Sequence, residues 1–399
     1  MDFTLPEELV HLREAVARFA AAEIAPHAQA WDCEHGYPDA LIPKLGEQGF
    51  MGIRVPETYG GCESSYLAFA IILEELARHD GGVALAVEAH NGLCCQHILL
   101  AGTEEQKKQF LPALAVGEQI GSWCLSEPGS GTDAASMKTR ARRDGADWIL
   151  DGNKQFVTNG DRAGVLVVLA VTASRVTASP DGKSGISAFV VETDTPGITI
   201  GPREDKLGMR SSDTVPISLD NVRVPGSQLL GAEDDAFSDV KTVLEHGRVM
   251  ISALSLGLAR GALEDSLRYT HERKTFGKAI ADHQLVQAKL ADMAVQIEAG
   301  RALVERACVR LDGGESLPYG AAVAKVFCSE MATRICLDAI QVHGGYGYLR
   351  EYNVERYLRD AKLCEIGEGS SEILRVLIAR GLNKNHGLGS AAKAKEAVS

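Results

Sequence analysis

The sequence predicts an α+β multidomain chain: an N-terminal helical domain, a central β-sheet domain and a C-terminal four-helix bundle. Three observations carry that expectation. Apolar residues recur at helical period to about residue 120, short β-prone runs broken by turn residues follow to about 235, and long Ala- and Leu-rich stretches continue to about 385. The expected divisions are 1–120, 121–235 and 236–385, with 386–399 a small-residue tail expected to be mobile. A chain of 399 residues, 45% apolar and 24% charged, can bury cores for two or three such units.

The elements follow in order. Thr4-Leu5-Pro6-Glu7 has a capping-box pattern, so a helix is expected there, with Leu5, Leu9, Leu12, Val16 and Phe19 on one face until Pro26. Further helices are expected over 38–49, 64–78, 83–101 and 103–115. From Ile120 the texture changes: DWILDGNKQFVT reads as two strands around an Asp151-Gly152 hairpin turn, and GVLVVLAVT and GISAFVVE follow. Strand-like runs continue to about Val224, and Pro225-Gly226 with Glu233-Asp234-Asp235 marks the next boundary. Long helices begin near Ser238. One carries the stripe Val286, Leu290, Met293, Ile297, Gly300, Val304, Ala307, Leu311, the four-three spacing of packed antiparallel helices. The last helix is expected to end near Gly381.

Composition excludes several classes. Net charge is 41 − 54 = −13, which opposes binding to a phosphate backbone, so no nucleic-acid partner is expected. No apolar run approaches the roughly 18 residues of a membrane span, and MDFTLPEEL lacks the zones of a secretory signal. A cytoplasmic, most simply bacterial, protein is expected, or the matrix form of a processed mitochondrial one. The nine cysteines include no C-x-x-C pair, and Cys308, Cys328 and Cys336 sit in apolar stretches, as buried reduced thiols do. With no H-E-x-x-H either, no metal site is expected. Dinucleotide-fold, P-loop and serine-hydrolase signatures are all missing.

Four stretches remain that can carry chemistry. CLSEPGSGTDAAS, residues 124–136, leaves a strand for a loop of Gly and hydroxyls whose free N–H groups suit a polar cofactor edge, or is simply a turn. HERKTFGKAIADHQ, 271–284, places Arg273, Lys274 and Lys278 beside Phe276 and Gly277, suited to phosphate and a stacked ring, or to an ordinary interhelical loop. QVHGGYGYLREYNVERYLRD, 341–360, ends a helix in Gly344, Gly345 and Gly347, with His343 read as a structural or capping group. CEIGEGSSEIL, 364–374, holds Glu365, Glu368 and Glu372. Glycines flank Glu368 and free it from helix geometry, whereas Glu372 complements a helix start capped by Ser370 or Ser371.

Together these four stretches resemble the acyl-CoA dehydrogenase family, from the first helix to about Gly381. Cys124–Ser136 fits its first signature and Gln341–Asp360 its second, with RKTFG between them and EGSSEI after; EDKLGMRSSDT, 204–214, looks closest to the short-chain and butyryl branch. The resemblance implies the same three domains and an FAD whose flavin lies between the β domain and the bundle. Trp123, Leu125, Ser126, Gly131, Thr132 and the strand Phe156, Val157, Thr158 would face the flavin. Arg273, Phe276, Gln284, Gln341, His343, Gly344 and Gly345 would hold the adenosine-diphosphate half, partly across a subunit interface, and Ser370 and Glu372 would lie near the cofactor. A homo-oligomer is thereby implied, usually a tetramer built as a dimer of dimers.

The resemblance also assigns the acid. Glu368 occupies the family's base position, taking the α-proton of an acyl-CoA thioester while hydride leaves the β-carbon for flavin N5. A carboxylate buried there is expected to have a raised pKa. Thr132, Glu245, Arg248 and Gly369 would meet the substrate: Arg248 and Glu245 the CoA portion, Thr132 the pantetheine arm, Gly369 the thioester. One branch places its base immediately before the matching arginine; here that residue is Gly247, on the inward stripe Leu244, Gly247, Ile251, Leu254, which leaves Glu368 alone. Departures touch the substrate. Gly367 stands where a Tyr is frequent, Cys94 and Cys95 map near the tail of the acyl pocket, and Phe156 replaces a common Trp, so a short straight, branched or medium acyl group remains open. Electrons would pass to an electron-transfer flavoprotein. The alternatives are an oxidase relative that discharges to oxygen and a flavin-binding or DNA-associated relative.

Overall fold

The computed structural model describes residues 4–172 and 185–385, so the expected tail, 386–399, lies outside the described residues. The helical domain comprises α1 (Glu7–Glu23), α2 (Ala28–Glu34), α3 (Leu41–Glu47), α4 (Tyr66–Ala77), α5 (Gly81–Glu88), α6 (Gln96–Ala101) and α7 (Glu104–Ala115). Pro6 is the N-cap of α1 and no side-chain cap hydrogen bond is made there, so the expected Thr4–Glu7 box is not what starts the helix; the φ of −53° that Pro6 fixes suits its entry. A capping box does start α7, between Thr103 and Gln106. The single helix expected over 83–101 is α5, a π-helical stretch Ala89–Cys95, and α6. The Asn91 amide donates to the carbonyls of Phe50 and Val87, which holds the widened turn against the preceding loop.

The central domain holds β1 (Ile120–Cys124), β2 (Arg140–Asp144), β3 (Asp147–Thr158), β4 (Ala163–Val171), β5 (Ile186–Glu192), β6 (Ile198–Ile200), β7 (Thr214–Val224) and β8 (Leu229–Leu230). The order is β6-β7-β3-β2-β4-β5-β8, with β1 parallel to β4. Asp151-Gly152 is not a hairpin turn. β3 runs through it, and Gly152 sits where the pairing with β7 shifts register; a Cβ there would come within 2.5 Å of Thr139 Oγ1. The hairpin uses the other Asp-Gly pair, Asp144-Gly145, where Gly145 has φ +66° and β2 meets β3 at Asp144 and Asp147.

The C-terminal region is α8 (Ala236–Glu272), α9 (Gln284–Asp312), α10 (Pro318–His343), α11 (Val354–Cys364) and α12 (Ser371–Asn385), with a small ribbon of β9 (Lys274–Thr275) and β10 (Lys278–Ala279) between the first two. The expected bundle thus has three long helices, and its remaining side is split between α11 and α12. Met293, Ile297, Gly300, Val304, Ala307 and Leu311 are buried along α9, with Val286 and Leu290 partly so. At Gly300 a Cβ would stand 3.0 Å from Leu256 and 3.2 Å from Met331, so its absence sets how closely α8 and α10 approach. Helical domain and bundle share one core and are joined by Arg301, which donates to both oxygens of buried Glu74 at 2.7 and 2.9 Å. Seven of the nine free cysteines are buried; Cys33 and Cys62 are exposed. No described helix is long and apolar enough to cross a membrane.

One buried ion pair bears on the loop after β1. Lys154 Nζ lies 2.8 Å from Glu127 Oε1, with side chains 0% and 5% exposed. Glu127 also accepts from the N–H groups of Lys138 and Thr139, and Lys154 donates to the Leu125 carbonyl at 3.3 Å. Both ends of the 125–139 loop are thereby tied to β3. Lys154→Met leaves a buried carboxylate uncompensated and is expected to destabilise the protein by about 3 kcal/mol. The added Glu127→Gln change should recover most of that loss. Thermal unfolding of both variants checks this, and an unchanged midpoint for the single variant would contradict it.

Candidate active site

Between α11 and α12 the chain reverses through Glu368 at φ +55° and Gly369 at φ +105°. The positive φ is routine for the glycine but costs about 1 kcal/mol for the glutamate, so its surroundings must hold it. Arg248 Nε of α8 donates to the Glu368 carbonyl at 3.0 Å, and Lys325 Nζ of α10 donates to the Gly369 carbonyl at 2.8 Å. The turn delivers the Glu368 carboxylate against Gly247, where any Cβ would collide with Oε2. Both carboxylate oxygens are buried, and no N–H or hydroxyl group of the described residues donates to them.

Glu88, fully buried at the end of α5, lies beside Glu368. Burial pushes the Glu368 carboxyl up to about 7, while a hydrogen bond from Glu88 and the charges of Arg248 and Lys325 pull it down. Burial, then the charge of Glu368, push Glu88 well above the usual carboxylate range. Two neighbouring buried acids disfavour each other's ionisation, and the larger upward push falls on Glu88, which makes Glu88 the acid favoured to hold the proton. The arrangement is a desolvated carboxylate poised near neutral pH.

The other acids have structural uses. Glu365 accepts from Thr333 at 2.5 Å and from Lys362 at 2.7 Å. Glu372 is exposed in the first turn of α12, where the helix N–H and Ser370 hold its carboxyl below the usual range. The Glu245 carboxylate accepts from the Leu317 N–H and the Ser316 hydroxyl and so caps the start of α10. Arg248 is half-buried and turned to the base loop.

The loop after β1 is fixed at its root and open at its edge. The Trp123 indole donates to His97 Nδ1 at 3.0 Å, the Ser126 carbonyl accepts from Gln155 N–H at 2.9 Å, and Leu125 is buried. Gly131 and Thr132 are exposed, and a Cβ at Gly129 or Gly131 would meet nothing within 4 Å. Phe156, at φ +58° in a bulge of β3, presents its ring outward, 66% exposed. The Val157 side chain is 1% exposed in the sheet core, so it is the backbone of this residue that can face a ligand. The Thr158 carbonyl accepts from Ser122 Oγ at 2.8 Å.

A cavity of about 520 Å³ lies where α8, the β9–β10 ribbon and the end of α10 meet, lined among others by Arg273, Phe276, His283, His343, Gly344 and Gly345. His343 stacks on Tyr269 at 4.3 Å and donates from Nδ1 to the Ala339 carbonyl at 2.8 Å, a structural role; burial lowers its pKa. Phe276 is 97% exposed, and a Cβ at Gly344 or Gly345 would meet nothing within 4 Å. Gln284 and Gln341 are exposed and lie outside this lining. The uncovered Phe156 ring and the open glycine edge of the loop after β1 fit a planar ring, and the cavity flanked by Arg273 and Phe276 fits a diphosphate-bearing group.

Sequence reasoning missed two site residues. Glu88 and Lys325 are each a lone charge within an apolar helical run, GGVALAVEAHNG and AAVAKVFCS, and that was the available signal. The π-helical stretch that follows Glu88 left no such mark.

Comparison with known proteins agrees with the geometry. The chain matches the acyl-CoA dehydrogenase N-terminal domain over residues 6–118, the middle domain over 122–222 and the C-terminal domain over 236–383. It is 45% identical over 384 residues to the Bacillus subtilis protein named probable acyl-CoA dehydrogenase YngJ, covering 96% of this chain and 100% of that one. The butyryl-CoA dehydrogenase structure from Megasphaera elsdenii superposes with a TM-score of 0.92 at 37% identity, covering 96% and 100%. A chain in the structure described as "Electron transferring flavoprotein of Acidaminococcus fermentans: Towards a mechanism of flavin-based electron bifurcation" does so with a TM-score of 0.92 at 39% identity, covering 96% and 99%. The protein therefore belongs to the acyl-CoA dehydrogenase family, whose members are FAD-dependent oxidoreductases.

Proposed function

We propose that this chain desaturates a short acyl-CoA thioester to the trans-2-enoyl-CoA, with Glu368 as the base, and that an electron-transfer flavoprotein takes the two electrons. The observation that carries the reading is the Glu368 carboxylate: buried, unsolvated and held on a strained turn opposite Gly247. When bound, FAD supplies the hydride acceptor for the β-carbon. Glu368 takes the α-proton, so one proton and one hydride leave and a C=C bond forms. Protonated Glu88 supports the ionised state of Glu368 before the transfer. The Glu368 N–H meets the thioester oxygen as it gathers charge, with side-chain-free Gly369 giving access. Resemblance to the Megasphaera butyryl-CoA dehydrogenase supports a short acyl group, and the Acidaminococcus likeness supports the flavoprotein acceptor. Exposed Phe276, Leu285 and Tyr348 beside the cavity suit coverage by a second copy in a homo-oligomer, the arrangement that would bring Gln284 and Gln341 to the cofactor.

Glu368→Gln is expected to slow anaerobic flavin reduction by butyryl-CoA about 10³-fold or more while FAD stays bound. Reduction at the parental rate would refute the base assignment. Because the base must be ionised, kcat/KM should be level above pH 7 and fall tenfold per unit as pH drops below the Glu368 value of about 7. Gly247→Ala places a methyl group on the Glu368 carboxylate; a loss of about tenfold to a hundredfold in kcat is expected with FAD content unchanged. In a panel of acyl-CoAs assayed with an artificial acceptor, butyryl-CoA should exceed dodecanoyl-CoA in kcat/KM, and the reverse order would overturn the short-chain reading.

A further inference from the structure

Among the described residues two lysines are fully buried, Lys154 and Lys325, and they are satisfied differently. Lys154 faces the carboxylate of Glu127, the usual solution for a buried ammonium. Lys325 is 0% exposed on α10, among buried Ala321, Ala322, Ala324 and Cys328, and no described ion pair includes it. Among the described residues its ammonium donates to a single carbonyl, that of Gly369, the residue after the proposed base. Arg248 reaches the preceding carbonyl, that of Glu368, from the opposite helix. Consecutive carbonyls of one positive-φ turn are therefore held by cations from α8 and α10. The flanks of that turn are closed by backbone bonds, among them Gly367 N–H to Leu363 and Ser371 N–H to Glu365.

A lysine serving only to fill space here would be expected to bring its own acid, as Lys154 does. Instead its charge is left facing the base. The groups around it are Arg248 from α8, Glu368 from the turn, and Cys364 and Glu365 at the end of α11; Glu88 of α5 faces Glu368 from the other side. We propose that Lys325 is a positioning residue for Glu368, pinning the 368–369 turn and keeping an uncompensated positive charge toward the base so that its carboxylate ionises in a dry pocket. This rests on the reading of Glu368 as the base. Burial lowers the Lys325 ammonium to about 8, so the charge it supplies is present at neutral pH and fades above that value.

The test uses the FAD-loaded protein with two variants. Lys325→Met removes pin and charge; Lys325→Gln keeps a donor for the Gly369 carbonyl and removes only the charge. Loss of the charge makes Glu368 harder to ionise, so the acid limb of kcat/KM against pH should move to higher pH by about one unit in both variants. At pH 9, where the base is ionised in every form, Lys325→Gln should regain flavin-reduction rates within a few-fold of the parent, and Lys325→Met should stay at least tenfold slower with KM little changed. A parental acid limb in Lys325→Gln overturns the proposal, whether or not Lys325→Met holds FAD. Failure of the underlying reading looks different: Glu368→Gln would then reduce its flavin normally, a result that Lys325 variants do not affect.

Discussion

A carboxylate proposed to work as a base inside a buried pocket has to be kept from protonating and kept in place, and polar groups from three helices converge on Glu368. Removing Glu368 from water would by itself favour its neutral form. The structure offsets this with three groups from three helices: a proton-holding acid on α5, a guanidinium on α8 and an ammonium on α10. None is on the segment that carries the base. These groups surround Glu368 only when helical domain and bundle are packed together, and their shared core, with Arg301 on Glu74, is what secures that packing.

The central domain answers a different demand. Its loop after β1 has to leave backbone groups free for a ligand without collapsing, so its root is fixed and its rim is left open. Lys154 and Glu127 tie the root to β3, Gln155 and Trp123 add single hydrogen bonds, and the rim residues Gly129 and Gly131 touch nothing. The bulge that throws Phe156 outward belongs to the same strand as Lys154, two residues away. One strand thus anchors the loop with its buried face and offers an aromatic surface with the other, a consequence of period-two alternation broken once.

The three-part fold was legible because each part has its own hydrophobic period, and the α9 stripe fell where its spacing placed it. What failed was choice among equal local signals. Two Asp-Gly pairs occur within nine residues; only pairing across the whole sheet makes Gly145 the turn and Gly152 a point of close approach to Thr139. Thr4 lost the cap to Pro6, since a proline can start a helix without one. The side chains of Glu245 and Val157 are placed by features no local pattern carries, a partner distant in sequence, Leu317, and the alternation of β3. Glu368 was legible through its glycines. Glu88 and Lys325 were not, because a charge inside an apolar run says only that something must compensate it, and the compensating group is 280 residues away for one and 44 for the other.

The space around the base is defined as much by missing side chains as by those present. A Cβ at Gly247 would strike the Glu368 carboxylate, and one at Gly92 would come within 2.6 Å of Glu88 Oε1. Gly92 lies in the π-helical stretch directly after α5, so the widened turn and the absent side chain occur together beside the acid they accommodate. Two carboxyl groups fit in contact only because both helices that face them are bare at that level. Any side chain at 247, including a second acid, would displace Glu368 from the position that Arg248 and Lys325 fix through its backbone. Volume thus fixes where the Glu368 carboxylate can lie before electrostatics acts, and the charges then set the pH at which it ionises.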